Sequence, residues 1–287
     1  MFHEEERKLA LKLMYITNNP AVSAIAQDAG VDRIFVDMEY IGKSDRQGGM
    51  DTVQSHHTVE DVSRIRQILN RSELLVRCNP IHEKTDCYPG SEDEIDAIVR
   101  AGADIIMLPY FKTAREVHRF LSNVGGRCRT SLLLETPEAV ACVDEILSIP
   151  GIDEVHIGLN DLSLGYGRKF MFELLADGTV EQLRRKCEAH GIPYGFGGIA
   201  SLGKGMLPSE YIIQEHCRLG SGCAILSRSF CNMNLVHDLD EIRERFFIGV
   251  RSIRDYESRC MTHPQTYEQN RQDVIRIVNQ IVRGVTA

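Results

Sequence analysis

The sequence contains no Lys/Arg-rich run, no apolar stretch approaching the ~20 residues that span a bilayer, and no cysteines spaced C-x-x-C. Each absence excludes something. A formal net charge of -8 and a pI near 5.7 provide no basic field for a polyphosphate backbone, so nucleic acid is not an expected partner. The missing apolar stretch argues against a membrane association. Glu4, Glu5 and Glu6 make the N-terminus unlike a signal peptide, and a cytoplasmic location is expected. Nine cysteines form an odd, scattered set, which reads as small buried hydrophobes rather than a zinc cluster or disulfide framework. Also missing is a G-x-G-x-x-G after the first strand-like run, and with it the signature of an open dinucleotide-binding sheet.

With 43% hydrophobic residues against 26% charged, the 287 residues can fill one large core. Eight short runs rich in Val, Ile and Leu recur, each followed by helical periodicity. They are LKLMYIT (11–17), RIFVDME (33–39), ELLVRC (73–78), ADIIMLP (103–109), TSLLLE (130–135), EVHIGL (154–159), IPYGFG (192–197) and CAILSR (223–228). Their spacing of roughly 30 residues is that of a βα repeat, and eight repeats predict a closed (β/α)8 TIM barrel. Helix signals fall between the runs, as in PEAVACVDEIL, with proline in its first turn.

Beyond residue 230 the strand pattern stops. Residues 268–284 put Val274, Ile277, Val278, Ile281 and Val282 on one helical face, which either a neighbouring subunit or the chain's own barrel covers. The expected organisation is a barrel over 1–254 and an additional C-terminal helical segment over 255–287. The polar loop 42–58 is too long for a routine connection and is a candidate lid.

In a barrel the strand C-termini share one mouth, where chemistry sits. The runs end on Asp37, Glu39 and Tyr40, on Arg77, on Glu135, on Asp161, and on Ser227 and Arg228. Glu135 and Asp161 are one repeat apart, on neighbouring strands about 4.8 Å from each other. Two such carboxylates repel unless a proton or a cation resolves the conflict, so an oxygen-preferring Mg2+ or Mn2+ is the expected cofactor. Zinc is less favoured, because no histidine or thiolate joins the pair. Taken singly, each has an everyday role: Glu135 as a helix cap before Pro137, Asp161 in an Asx turn. Their occurrence at successive strand ends, with Arg77 across the mouth, favours the metal.

The segments LLLETPEAV (132–140) and IDEVHIGLNDLSLGYG (152–167), with NNPAVSAIAQDAGVDRIFVDMEY (18–40), LLVRCNP (74–80) and AGADIIMLPYFKTAREV (101–117), resemble the HpcH/HpaI class II pyruvate aldolases and their citrate lyase β-subunit relatives. The resemblance spans residues 11 to about 230. It implies that Glu135 and Asp161 are the protein ligands of Mg2+ or Mn2+ and that Arg77 binds the oxygen that becomes an enolate. It implies a 2-oxo acid substrate with an aldehyde or related carbonyl partner, and a homo-oligomer that exchanges C-terminal helices. It suggests, too, that backbone N–H groups near Asn160 and Asp161 hold the substrate carboxylate beside Gly158, where Leu159 replaces the family's proline.

A second departure is Tyr40, where the family has its acid/base histidine. Tyr40 could take the role, His56 or His57 could reach in from the long loop, or the reaction differs. Histidine is the better base near neutral pH. The leading function is therefore a divalent-metal-dependent carbon–carbon lyase working through a pyruvate-type enolate. The rivals are a citrate-lyase-like reaction on an acyl thioester, and a barrel with a binding role. The loops GFGGIASLGKG (195–205) and LSRSF (226–230) suggest an anion site built from Gly197, Gly198, Ser227, Arg228 and Lys204, although the glycines also suit a plain barrel corner.

Overall fold

The structure, a computed structural model, describes residues 10–42, 57–233 and 235–284. Nine parallel strands form one sheet: β1 (Lys12–Ile16), β2 (Arg33–Asp37), β3 (Glu73–Arg77), β4 (Ile105–Leu108), β5 (Arg129–Leu134), β6 (Glu154–Ile157), β7 (Tyr194–Phe196), β8 (Gly198–Ile199) and β9 (Cys223–Leu226). Their order is β7-β6-β5-β4-β3-β2-β1-β9-β8. All eight predicted runs are present, the seventh divided in two at Gly197. There φ is +54°, so the backbone swivels: the Gly197 N–H donates to Ile157 O at 3.1 Å, and its carbonyl accepts from Ile225 N–H at 3.3 Å. One glycine thus ties β6 to β9 and nearly closes a (β/α)8 barrel.

Alternation along each strand sorts the core into two clusters. Leu13, Ile34, Val36, Leu74, Val76, Ile106 and Leu132 face the surrounding helices. Met14, Phe35, Leu75, Ile105, Met107 and Leu133 fill the barrel. The inward series continues past this apolar plug into charge at both ends. Its lower end is Arg33, 1% exposed, bonded to Glu154 at 2.7 and 2.8 Å and to Glu73 at 2.9 Å. Its upper end is Asp37, Arg77 and, two residues beyond Leu133, Glu135. Period two alone therefore aims these groups into the mouth.

The outer helices include α1 (Pro20–Asp28), α2 (Val59–Arg66), α3 (Ser91–Arg100), α4 (Ala114–Val124), α5 (Pro137–Ala141), α6 (Val143–Leu147), α7 (Leu159–Gly165), α8 (Glu173–Ala176), α9 (Thr179–Ala189) and α10 (Ser209–Leu219). Local chemistry fixes their ends. In α4, Thr113 and Glu116 form a capping box and Gly125 closes the helix in the left-handed conformation. No helix among the described residues is long and apolar enough to cross a membrane.

Helix α11 (Leu239–Thr262) runs unbroken through residue 254, where the sequence suggested a boundary. Its Glu257 accepts the Leu11 N–H and its Arg254 bonds Leu11 O and Asp32, which bolts it to the start of β1. In α12 (Tyr267–Val282), Val274 and Val278 are buried. This helix packs on α8 and α10 of the same chain, and Asn270 donates to Glu215 at 2.9 Å and to Tyr211 O at 3.2 Å. On its apolar face Val274 and Val278 are buried in this chain's core, and Ile277, Ile281 and Val282 are partly buried against it.

Two predictions follow from this core. Arg33→Ala leaves Glu154 without its cation and Glu73 with Arg129 alone, and urea unfolding should register a loss of about 3 kcal/mol. Burial holds His156 down to about 4 and His216 down to about 3, whereas the unfolded chain takes up those protons near pH 6.5. Stability from these two groups is therefore complete above that pH and falls as pH drops toward 4. In His216→Phe, which removes the partnerless buried Nε2 and keeps the stack on Phe196, stability should fall less over the same interval.

Candidate active site

Glu135 is free of the capping role that its position suggested. Thr136 caps α5 instead, its Oγ1 accepting the Ala139 N–H at 3.2 Å and donating to Phe111 O at 2.7 Å. The Glu135 carboxylate, 4% exposed, turns to the mouth, and its Oε1 accepts the Tyr110 N–H at 3.0 Å. Gly158 makes that placement sterically feasible. A Cβ there would lie 2.7 Å from Glu135 Cβ and 2.9 Å from Oε2, closer than packing allows. Asp161 sits in the first turn of α7, where the helix N-terminus favours a negative charge, and Asn160 Nδ2 donates to its Oδ1 at 3.3 Å. Leu159, now beside Gly197, is buried.

Glu135 and Asp161 line one cleft of about 420 Å³, together with Tyr110, Pro137, Glu138, Leu164 and Gly165. Tyr110 is the one non-glycine residue at positive φ, +48°, among the described residues. Such a conformation costs of the order of 1–3 kcal/mol and persists where surroundings enforce it. Here its N–H is aimed at Glu135.

Beside this pair, Arg77 is clamped by carboxylates. Nε and Nη2 donate to Asp37 at 2.8 and 2.7 Å, and Nη1 is 3.3 Å from Glu39 Oε2. Burial alone would lower the guanidinium, but Asp37 and Glu39, with Glu135 adding its field, hold it above its ordinary value. Three of its five N–H groups are in those contacts, which leaves two for a ligand. Asp37 and Glu39, both almost fully buried, hold Arg77 in these contacts.

The acid/base candidates separate. The Tyr40 and Ile41 N–H groups share Asn79 Oδ1, and the Tyr40 ring lies 5.4 Å from that of Tyr88. Burial, then Glu94, pushes the Tyr40 phenol up, away from base duty at neutral pH. His57 accepts the Asp37 N–H on Nδ1 at 2.9 Å, so its neutral ring carries the proton on Nε2 and offers a donor there. His56, with most of the loop read as a lid, lies outside the described residues.

The anion-site group is not brought to this cleft. The Gly197 N–H is spent on Ile157 O, Gly198 pairs with Ile225, and Ser227 Oγ bonds Ser229 Oγ at 2.8 Å. Arg228 and Lys204 are exposed, and none of the five lines the cleft. Conversely, the strand-end reading passed over Tyr110, Leu164 and Gly165. The signal for Tyr110 was available, since it directly follows the fourth run.

A nearly closed parallel barrel with paired carboxylates and a buried arginine at its mouth defines a class of barrel enzyme. The sequence profile of the HpcH/HpaI aldolase/citrate lyase family matches residues 12–194, and the chain belongs to that family. Membership makes it an enzyme of lyase type, in a family that generally depends on a divalent metal. No curated protein matches its sequence significantly. Among solved structures, an HpcH/HpaI aldolase from Desulfitobacterium hafniense DCB-2 is 16% identical, with TM-score 0.58 over 87% of this chain and 95% of that one. An HpcH/HpaI aldolase/citrate lyase family protein from Burkholderia cenocepacia J2315 is 15% identical, with TM-score 0.57 over 83% and 98%. The citrate synthase SbnG is 14% identical, with TM-score 0.60 over 80% and 92%. These likenesses establish a shared fold.

The donor set suits an ion that keeps most of its shell from solvent and substrate. Among the described residues no group of three or more His, Cys, Asp or Glu could hold a metal, which excludes a closed structural zinc site there. Two neighbouring carboxylates fit Mg2+ or Mn2+, which retain several exchangeable ligands.

Gly158→Ala should cost on the order of 100-fold in lyase rate, because it displaces Glu135 by a large fraction of an ångström or more. The far-UV circular dichroism should stay that of the wild type. Wild-type turnover in that variant would mean that the Glu135 position is unimportant.

Proposed function

We propose that the protein is a divalent-metal-dependent carbon–carbon lyase that makes or breaks a bond through the pyruvate-type enolate of a 2-oxo acid. The observation that carries this reading is the convergence of Glu135 and Asp161 on one cleft, with Glu135 in the field of Arg77. Glu135 and Asp161 would hold the ion, Mg2+ or Mn2+. When bound, the ion supplies Lewis acidity to the substrate's ketone oxygen.

The chain's own residues do the rest. Arg77 directs its two remaining N–H groups at the oxygen on which negative charge develops, and Asp37 and Glu39 stop the guanidinium from following that charge. The Tyr110 N–H fixes Glu135, so that this carboxylate does not swing toward Arg77 and neutralise it. The first N–H groups of α7 have no partner within the helix, and their end of the helix favours a substrate carboxylate.

A second reading, a citrate-lyase-like reaction on an acyl thioester, is favoured by one observation. With Nδ1 occupied by the Asp37 N–H, His57 does not present a base on Nε2.

A pyruvate-release assay across 4-hydroxy-2-oxo acids and acyl thioesters tests both readings. The former should yield pyruvate only with added Mg2+ or Mn2+, and Glu135→Gln or Asp161→Asn should abolish release while the barrel stays folded. Full activity of either variant in metal-stripped buffer would overturn the reading. Arg77→Lys should lose rate by 10²-fold or more, because an ammonium cannot hold both Asp37 oxygens and still face the substrate. The pH–rate profiles of Tyr40→Phe, His56→Ala and His57→Ala identify the proton carrier. A profile unchanged in all three, with turnover of thioesters alone, would favour the second reading.

A further inference from the structure

We infer that Cys217 and Cys260 are a peroxide-responsive pair of thiols whose oxidation forms a disulfide between α10 and α11. Neither residue lines the cleft, and the inference does not depend on the chemistry proposed there.

The two helices pack on one another and each brings one free cysteine to the contact. The Cys217 S–H donates to the Cys260 sulfur, so the two atoms that would bond are already neighbours. A disulfide tolerates little misplacement of its ends, and a contact made between two packed helices meets that requirement without moving either. The same corner is fastened on both sides. The Tyr267 hydroxyl donates to the Cys260 carbonyl at 3.1 Å, and Glu257, one turn earlier on α11, accepts the Leu11 N–H.

The two sulfurs differ in reactivity. Cys260 accepts a second hydrogen bond, from the Tyr256 hydroxyl, and the Arg259 guanidinium lies beside it, 5.4 Å from the centre of the Tyr256 ring. The Cys217 S–H foremost, with the Tyr256 O–H and Arg259, holds the Cys260 thiol below its ordinary value against burial and Glu257. Being the donor in that bond, and partly buried, holds Cys217 above its own. Since the thiolate is the form that attacks a peroxide, Cys260 is the attacking group and Cys217 the resolving one. Cys260 is buried and Cys217 only partly so, which gives a small peroxide its approach from the Cys217 side.

The Cys260 sulfur attacks one oxygen of hydrogen peroxide, the O–O bond breaks, and water leaves with the proton that the thiol released. The sulfenic acid so formed is attacked by the Cys217 sulfur, which gives up its proton as the S–S bond forms and a second water departs. Two thiols are thereby oxidised by two electrons and one peroxide is reduced to two waters. The new bond falls across the seam of the barrel. Helix α10 leads into β9, α11 is bolted to the start of β1, and β1 pairs with β9. Such a bond restricts the unfolded chain and keeps the folded contacts, so the oxidised protein is the more stable form.

The test treats the reduced full chain with one equivalent of hydrogen peroxide and counts thiols after denaturation. The nine free thiols should become seven, a non-reducing peptide map should join the peptides that carry Cys217 and Cys260, and dithiothreitol should restore all nine. The oxidised protein should melt about 5 °C higher than the reduced one. In Cys217→Ser, which keeps a hydroxyl donor, dimedone should label Cys260, whereas in Cys260→Ser it should leave Cys217 unlabelled. Tyr256→Phe removes one donor, keeps the ring under Arg259, and should slow disulfide formation at least about threefold. Cys87 is exposed, and a reaction governed by accessibility alone would consume it first. Oxidation of Cys87 ahead of the pair, nine thiols remaining after treatment, or a label on Cys217 instead of Cys260 would overturn the inference.

Discussion

The guanidinium of Arg77 held between Asp37 and Glu39 is the interaction on which the mouth of this barrel depends. Four carboxylates, from Asp37, Glu39, Glu135 and Asp161, end on or near one rim, and two of them contact a single arginine. Buried ion pairs of this kind rarely add net stability, because desolvation consumes most of the Coulombic gain. Their worth here is positional. A cation pinned from one side by two carboxylates offers its remaining donors to the other side in a fixed direction. The same device appears at the lower end of the barrel, where Arg33 is sealed beneath the apolar plug. Sealed, it can only brace strands; at the mouth, its counterpart can meet a ligand.

From that clamp the division of labour at the site follows. Glu135 stays on its own side of the mouth because the strained Tyr110 backbone holds it there and because Gly158 leaves it room. Asp161 arrives from the next strand, on the first turn of a short helix. Glu135 and Asp161 share the cleft, and they are the pair that would hold a divalent cation. Enolate-forming lyase chemistry needs a sink for negative charge at one oxygen, which Arg77 and an ion held by Glu135 and Asp161 would provide.

The repeating architecture was legible in the sequence because strands buried on both faces carry dense Val/Ile/Leu runs at βα spacing. Glu135, Asp161 and Arg77 were legible as polar residues ending such runs. The split of the seventh run was not, since a glycine in IPYGFG gives no sign of whether it continues a strand or swivels it. Nor was the partner of the last helix, because an amphipathic face of valines and isoleucines says that it is covered without saying by what. The contact of Asp37 and Glu39 with Arg77 was not legible for a related reason: a carboxylate at a strand end looks alike whether it handles protons or holds an arginine. Tyr110 could be read as the residue that follows the fourth run, but its positive φ could not, because in a non-glycine residue that conformation is imposed by tertiary contacts. The tie between His57 and the Asp37 backbone likewise joins segments that sequence spacing alone does not connect.

The claim that Glu135 and Asp161 form the seat of a divalent ion is tested most directly by titrating Mn2+ into the metal-free protein and following the signal of free Mn2+ by electron paramagnetic resonance. The wild-type chain should remove one equivalent of the ion, more tightly with pyruvate present, and Glu135→Gln and Asp161→Asn should each leave the ion free under the same conditions. Binding of equal strength in both variants, or none in the wild type, would contradict it.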